Sequence, residues 1–410
     1  MRAQADKLSN KNQSESKMDD IYQELERLVE EAGPKAAVQR LSEELKQRRD
    51  YTGYFYALVL GKRLELGLPA VQPRFDSDVP AKLASAYEEG IRAAARSAGR
   101  LALASGDVVS AWPFFRMIEE PQEVAQALEK LEPQEPEQCQ QYVQIALYEG
   151  AHPRLGFRWV LKYYGICNAI TTFTQGFPGS QEDRADCLKQ LVRALYEELR
   201  ERLRADIAHR ENTTLPPELS VRELLRGREE KLFAEDFYHV DTSHLSSVVQ
   251  FAYYLPVCEE LRLAVELCEY GQHINPRFQY PGDPPFERTY FDYHIYFRTL
   301  LGEDVEAGLE HFRQKAETAD VEQVGYYPAA VYVGLLERLG RHREAVEAYS
   351  RYLSQADPQQ LGSCPTIYEL CQKLGDYRPL VDIAQRRGNL VDYTAGLIQC
   401  LADQRGNSQK

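Results

Sequence analysis

One pattern recurs four times along this chain and limits what it can fold into. A Leu-Gly step, or a close equivalent, is followed by a polar pair, by an apolar or small residue five positions after the glycine, and by a bulky, usually aromatic residue about four further on. The clearest copy is LLERLGRHREAVEAYSRYL, with Gly340, Ala345 and Tyr349. LLGEDVEAGLEHF repeats it with Gly302, Ala307 and His311-Phe312, and ALASGDVVSAWPFF with Gly106, Ala111 and Phe114-Phe115. CQKLGDYRPLVDIA carries a degraded copy with Gly375, Leu380 and Ala384. A glycine that turns the chain and a small residue where two helices cross make a helical hairpin, and hairpins repeated at a fixed period stack on one another.

Helical spacing fills the intervals. Ile21, Leu25, Leu28 and Val29 share a face, Gly33-Pro34 stops that helix, and Ala37, Val38, Leu41 and Leu45 form the next. Tyr54, Phe55, Leu58 and Val59 predict a third helix that ends near Gly67, before a linker with three prolines, Leu68 to Lys82. Leu188, Leu191, Val192, Leu195, Leu199, Leu203 and Ile207 predict one long helix over about residues 184–210. No stretch alternates with period two between hairpin signals, so the expected class is all-α.

The segment Leu335 to Leu353, and more loosely those around Gly106 and Gly302, resembles the tetratricopeptide repeat; Gly302 to Gly340 is 38 residues and Gly340 to Gly375 is 35, close to that family's period of about 34. Ala329 and Tyr352 depart from that family, standing where it often has Trp and Ala. The resemblance implies a right-handed α-α superhelix of antiparallel hairpins, a TPR-like solenoid, whose concave face binds an extended peptide or a partner helix. The expected organisation is a polar tail at 1–17, helical hairpins over 18–132, a divergent central region over 133–301, repeats over 302–404 and a flexible tail at 405–410.

The central region is where the sequence points for a site. Residues 150–300 hold six of the eight histidines, and the runs 163–181 and 242–258 carry no charge. In the first run Cys167, beside Asn168 and downstream of His152, has the types needed for a Cys-His nucleophile, or for a buried thiol whose polar neighbours bond local backbone. In the second, Asp241, Thr242 or Ser243 caps a helix carrying Leu245, Val248, Val249 and Ala252, and Pro256 opens a partner helix with Leu261, Ala264, Val265 and Cys268. His239, Asp241 and His244 gather at its mouth as candidate metal ligands, though the histidines are five apart rather than the four of a helical zinc site. An aromatic Pro/Gly loop follows at 275–286. Tyr253, Tyr280, Tyr293, Tyr332 and Tyr349 are the candidate partner-binding residues, and Tyr253, Tyr293, Tyr332 and Tyr349 are expected to be partly exposed on one surface.

Composition narrows the partners. With 49 basic against 63 acidic residues and a net charge of −14, and without a basic patch, the chain is not expected to bind nucleic acid or a membrane surface. The first 17 residues lack the apolar core of a secretory signal, and neither uncharged run reads as a membrane span. Eight cysteines without a CxxC pair read as reduced thiols, which predicts a cytoplasmic protein. No P-loop and no GxGxxG is present, so no cofactor is expected. The leading expectation is a non-enzymatic scaffold that holds a protein or peptide partner in a concave aromatic groove. The alternatives are a metal-binding or hydrolytic enzyme built on His239, Asp241 and His244, and a structural subunit whose acidic surface meets a basic partner.

Overall fold

A computed structural model describes residues 20–71 and 79–407. The expected tail at 1–17 and the middle of the proline linker lie outside the described residues. Among the described residues there are helices, turns and no strand. The chain divides into two compact units, 1–163 with 178–180, and 164–177 with 181–410.

In the first unit, helix α1 (20–31) is followed by α2 (Pro34–Gln47), α3 (Tyr51–Glu65), α4 (Ala81–Ala104), α5 (Val108–Met117), α6 (Gln122–Leu128), α7 (Pro136–Val143) and α8 (Pro153–Trp159). Each of α2, α3, α4 and α5 packs on the next. Asp50 and Asp107 cap α3 and α5, accepting from the backbone N–H of Gly53 and Ser110 at 2.8 and 2.9 Å, so each short turn ends in a satisfied helix start.

The second unit begins with α9 (Gly165–Thr174) and the 31-residue α10 (Gln181–Glu211). All seven apolar positions expected to form one stripe on the long helix are buried, at most 1% exposed. Short helices α11 (Val221–Leu225) and α12 (Glu229–Leu232) lead to α13 (Thr242–Ala252) and α14 (Glu259–His273). Asp241 is the cap of α13, but α14 starts at Glu259, because Pro256 falls in the turn. Then come α15 (Thr289–Leu300), α16 (Val305–Thr318), α17 (Val321–Val324), α18 (Tyr327–Arg338), α19 (His342–Ala348), α20 (Ile367–Leu374), α21 (Arg378–Arg387) and α22 (Leu390–Asn407). Residues 405–407, expected to be tail, belong to this last helix.

The four turn glycines Gly106, Gly302, Gly340 and Gly375 all have φ between 71° and 84°, a conformation that a side chain disfavours. At the crossings, Ala111 and Phe115, and Ala345 and Tyr349, are at most 1% exposed, a small residue and a ring one helical turn apart between packed helices. The hairpin of α15 and α16 keeps this arrangement one residue later than expected. Ala307 is exposed, and Gly308 takes the crossing, with Phe312 four residues on fully buried. The cause is Asp304, a second left-handed residue in the turn (φ 48°), which delays the helix by one position. A Cβ on Gly308 would lie 1.8 Å from Thr299 Oγ1, so any side chain at this crossing must displace Thr299.

Candidate interaction surface

The central aromatic residues do not form the expected surface. Tyr253, Tyr293, Tyr332 and Tyr349 are 9%, 7%, 8% and 1% exposed; all four are core, and the expectation of a shared exposed face is overturned. Tyr253 lies against Tyr296 (centroids 5.0 Å) and edge-on to Phe286, Tyr293 stacks on Phe286, and Tyr349 fills the crossing of its hairpin. Rings that recur at helical spacing bury large apolar area, and the interior claims them first. Tyr280 is the one member of the set that stays exposed, at 49%, its carbonyl held by Thr289 Oγ1 (2.6 Å).

Two of the three candidate metal ligands, His239 and Asp241, have other partners. His239 is buried, its Nε2 3.1 Å from Asp206 Oδ2 and its Nδ1 3.1 Å from the Tyr270 hydroxyl. Burial holds its pKa below the usual histidine value despite the Asp206 carboxylate. Asp241 Oδ1 accepts from the N–H of Ser243 (2.8 Å) as a helix cap. Among the described residues, no three His, Cys, Asp or Glu side chains are grouped to hold a metal ion. His239 and Asp241 satisfy two separate local requirements, and the backbone N–H of His244 joins the Asp241 cap at 3.3 Å.

Cys167 is exposed on α9. Asn168, Thr171 and Thr172 bond the backbone carbonyls four residues earlier, at 2.8 to 3.1 Å. His152 belongs to the first unit, where its Nε2 is 3.0 Å from Glu129.

An open, ring-lined groove does exist, in the first unit. It lies between the starts of α3 and α5, encloses about 610 Å³, and has walls of Tyr51, Phe55, Tyr56, Phe114 and Met117. Phe55 and Phe114 form its floor, 4% and 8% exposed with centroids 5.8 Å apart. Tyr56 and Met117 rise from it, 53% and 48% exposed. Tyr51 is fixed by a 2.5 Å hydrogen bond to Ser105 Oγ across the unit. The crossing beneath is tight: a Cβ on Gly99 would lie 2.5 Å from the Phe115 ring.

The rim is polar. The capping carboxylates of Asp50 and Asp107 both border the groove, with Arg49 on the α3 side and Ser110 on the α5 side. Each capping carboxylate spends one oxygen on its helix start and presents acidic character at the mouth. Pro113, also on the wall, has no N–H and so cannot donate to the Val109 carbonyl one turn earlier. The floor offers apolar burial, and the rim offers acceptors for a cation.

Sequence pattern alone does not single out this groove, because Phe114 and Phe115 fit the crossing pattern together. The structure separates them, Phe115 into the hairpin and Phe114 into the groove floor. The available signal was the doublet itself: neighbours on a helix point about 100° apart, and one crossing uses one ring.

Comparison of the sequence with known protein families and with curated proteins returns no match to either. No helix among the described residues is long and apolar enough to cross a membrane.

Proposed function

We propose that this protein is a non-enzymatic, tetratricopeptide-like scaffold that binds a short segment of another protein in the groove between α3 and α5. The observation that carries the reading is the combination of exposed Tyr56 and Met117 over a fixed floor of Phe55 and Phe114, with Asp50 and Asp107 at the rim. Rings already held by packing add contact area at little entropic cost, and methionine adapts to varied partners. The favoured ligand is an extended or helical segment with one or two bulky apolar anchors next to a lysine or arginine. The right-handed superhelical stacking of the hairpins belongs to this proposal, supported by the left-handed glycines and the small-to-aromatic crossings. So does a cytoplasmic location, supported by eight cysteines without a CxxC pair.

Selection from a phage-displayed peptide library on the full chain tests it. The expected winners share an apolar anchor flanked by basic residues. They lose at least about tenfold in affinity on Tyr56→Asp/Met117→Asp, with the thermal midpoint unchanged. Selection of no peptide, or equal binding by the variant, rejects the groove as the site.

A further inference from the structure

Helix α22 packs on α21 through Gly396, whose missing side chain lets Val381 approach; a Cβ there would lie 2.8 Å from Val381 Cγ2. Its opposite side is uncovered. Leu390 and Val391 are 78% and 77% exposed, and Leu397, Ile398 and Leu401 are 40%, 63% and 55% exposed. Thr394, Ala395 and Ala402 are exposed as well. Positions 391, 394, 395, 398, 401 and 402 recur at three- and four-residue steps, a single stripe along the helix, with 390 and 397 at its edge. A surface helix ordinarily turns a polar face toward solvent. This one carries on the order of 500 Å² of outward apolar surface, near the upper end of what one patch on a soluble monomer shows.

We propose that this stripe is the contact between two copies of the chain, in which α22 packs antiparallel against α22 about a twofold axis at the level of Gly396. The argument for a second copy is self-complementarity. In that register, residues equally far on either side of Gly396 face each other. Ile398 meets Thr394, a large side chain against a small one, and Val391 meets Leu401, while Leu390 and Leu397 flank the contact at the edge of the stripe. Large against small is how facing helices interdigitate without voids. No charged residue on the stripe opposes a like charge. The segments outside the described residues, 1–19, 72–78 and 408–410, are mainly polar and offer no matching stripe. Covering the patch on both copies buries on the order of 1,000 Å², the scale a specific interface needs. The contact uses an element of the second unit and is independent of the groove of the first.

Sedimentation equilibrium of the full chain over roughly 1–100 µM tests both the contact and its register, because dimer mass rises with concentration by mass action. The expected result is a dimer for the wild type. Ile398→Asp, Val391→Lys and Leu401→Glu are each expected to be monomeric, with unchanged far-ultraviolet circular dichroism and thermal midpoint, since these side chains touch little within one copy. The double variant Val391→Lys/Leu401→Glu regains the dimer, because the antiparallel register brings each new lysine opposite a new glutamate. A monomeric wild type across the range overturns the proposal, as does a wild-type dimer that survives Ile398→Asp. A double variant that stays monomeric overturns the antiparallel register, and a stripe covered only by a different protein overturns the second copy as occupant.

Discussion

The rings of Phe286 and Tyr293 lie parallel, 4.0 Å between centroids and 2° between planes. Phe286 ends the Pro/Gly loop and is 2% exposed, with Tyr253, Tyr296 and Phe312 also against it. The loop therefore enters the core at its last residue, and Tyr293 is the surface it lands on. Phe286→Ala is expected to cost about 3–5 kcal/mol, from lost burial and the cavity left behind. Tyr280→Ala, on the exposed part of the same loop, is expected to change stability by no more than about 0.5 kcal/mol. Thermal unfolding of the two variants checks the contrast, and equal losses would mean that the loop is not anchored by its phenylalanine.

The displaced crossing of α15 and α16 gives a sharper test. Gly308→Ala would drive a methyl group into Thr299, whose hydroxyl already donates to the Ile295 carbonyl at 2.7 Å. The expected loss is about 2 kcal/mol, the usual scale of overpacking. Ala307→Glu, on the exposed neighbour, is expected to be near neutral. Thr299→Ala, which removes the clashing atom, should recover much of the loss when added to Gly308→Ala, a coupling that a double-mutant cycle reads directly. Additive losses would show that the two residues do not meet.

That pair also shows what the sequence could and could not reveal. Gly340, Ala345 and Tyr349 were legible because a glycine turn, a small crossing residue and a ring have fixed spacing in a regular hairpin. The shift from Ala307 to Gly308 was hidden because it depends on the backbone conformation of Asp304, a residue equally at home in a cap or a turn. The long stripe of α10 was legible for the opposite reason, since seven apolar positions at helical spacing have a single solution. The burial of the four tyrosines was not legible because residue type does not tell direction: Tyr253 and Tyr254 are adjacent, and Tyr253 is buried while Tyr254 is 48% exposed. His239 and Asp241, two apart in sequence, go to Asp206 and to a helix cap.

Acid should weaken the second unit through Glu269. Burial raises the pKa of this carboxyl, but hydrogen bonds from His294 and from Arg222, at 3.3 and 2.6 Å, outweigh it and bring the value to about 2. The folded value lies below that of the unfolded chain, so the stabilisation is complete above about pH 4.5 and is lost as the pH falls toward 2. For a side chain about a quarter exposed, the contribution is on the order of 2 kcal/mol. Glu269→Gln should be less stable than the wild type at pH 7 and approach it near pH 2.5, measured by urea unfolding at each pH. A constant gap between the two proteins across that range would refute the ion pair.

The start of α3 sets two effects against each other at Gly53. Inside a helix, Gly→Ala ordinarily stabilises by about 0.5–1 kcal/mol. Here the new Cβ would lie 2.5 Å from Asp50 Oδ2 and 2.9 Å from Leu45 Cδ2. It would displace the carboxylate that accepts from the Gly53 N–H, and loss of such a cap costs about 1 kcal/mol before any overpacking against Leu45. The cap and clash outweigh the propensity gain, so Gly53→Ala is expected to destabilise by about 1 kcal/mol. Asp50→Ala alone should cost a similar amount. Once Asp50 is alanine the methyl group has less to displace, so adding Gly53→Ala should cost little more, and the pair should fall well short of the summed single losses. Because Asp50 borders the groove between α3 and α5, both variants should also weaken any basic peptide bound there. Gly53→Ala that raises the thermal midpoint would show that the cap contributes less than helix propensity, and would remove Asp50 as a fixed feature of the rim.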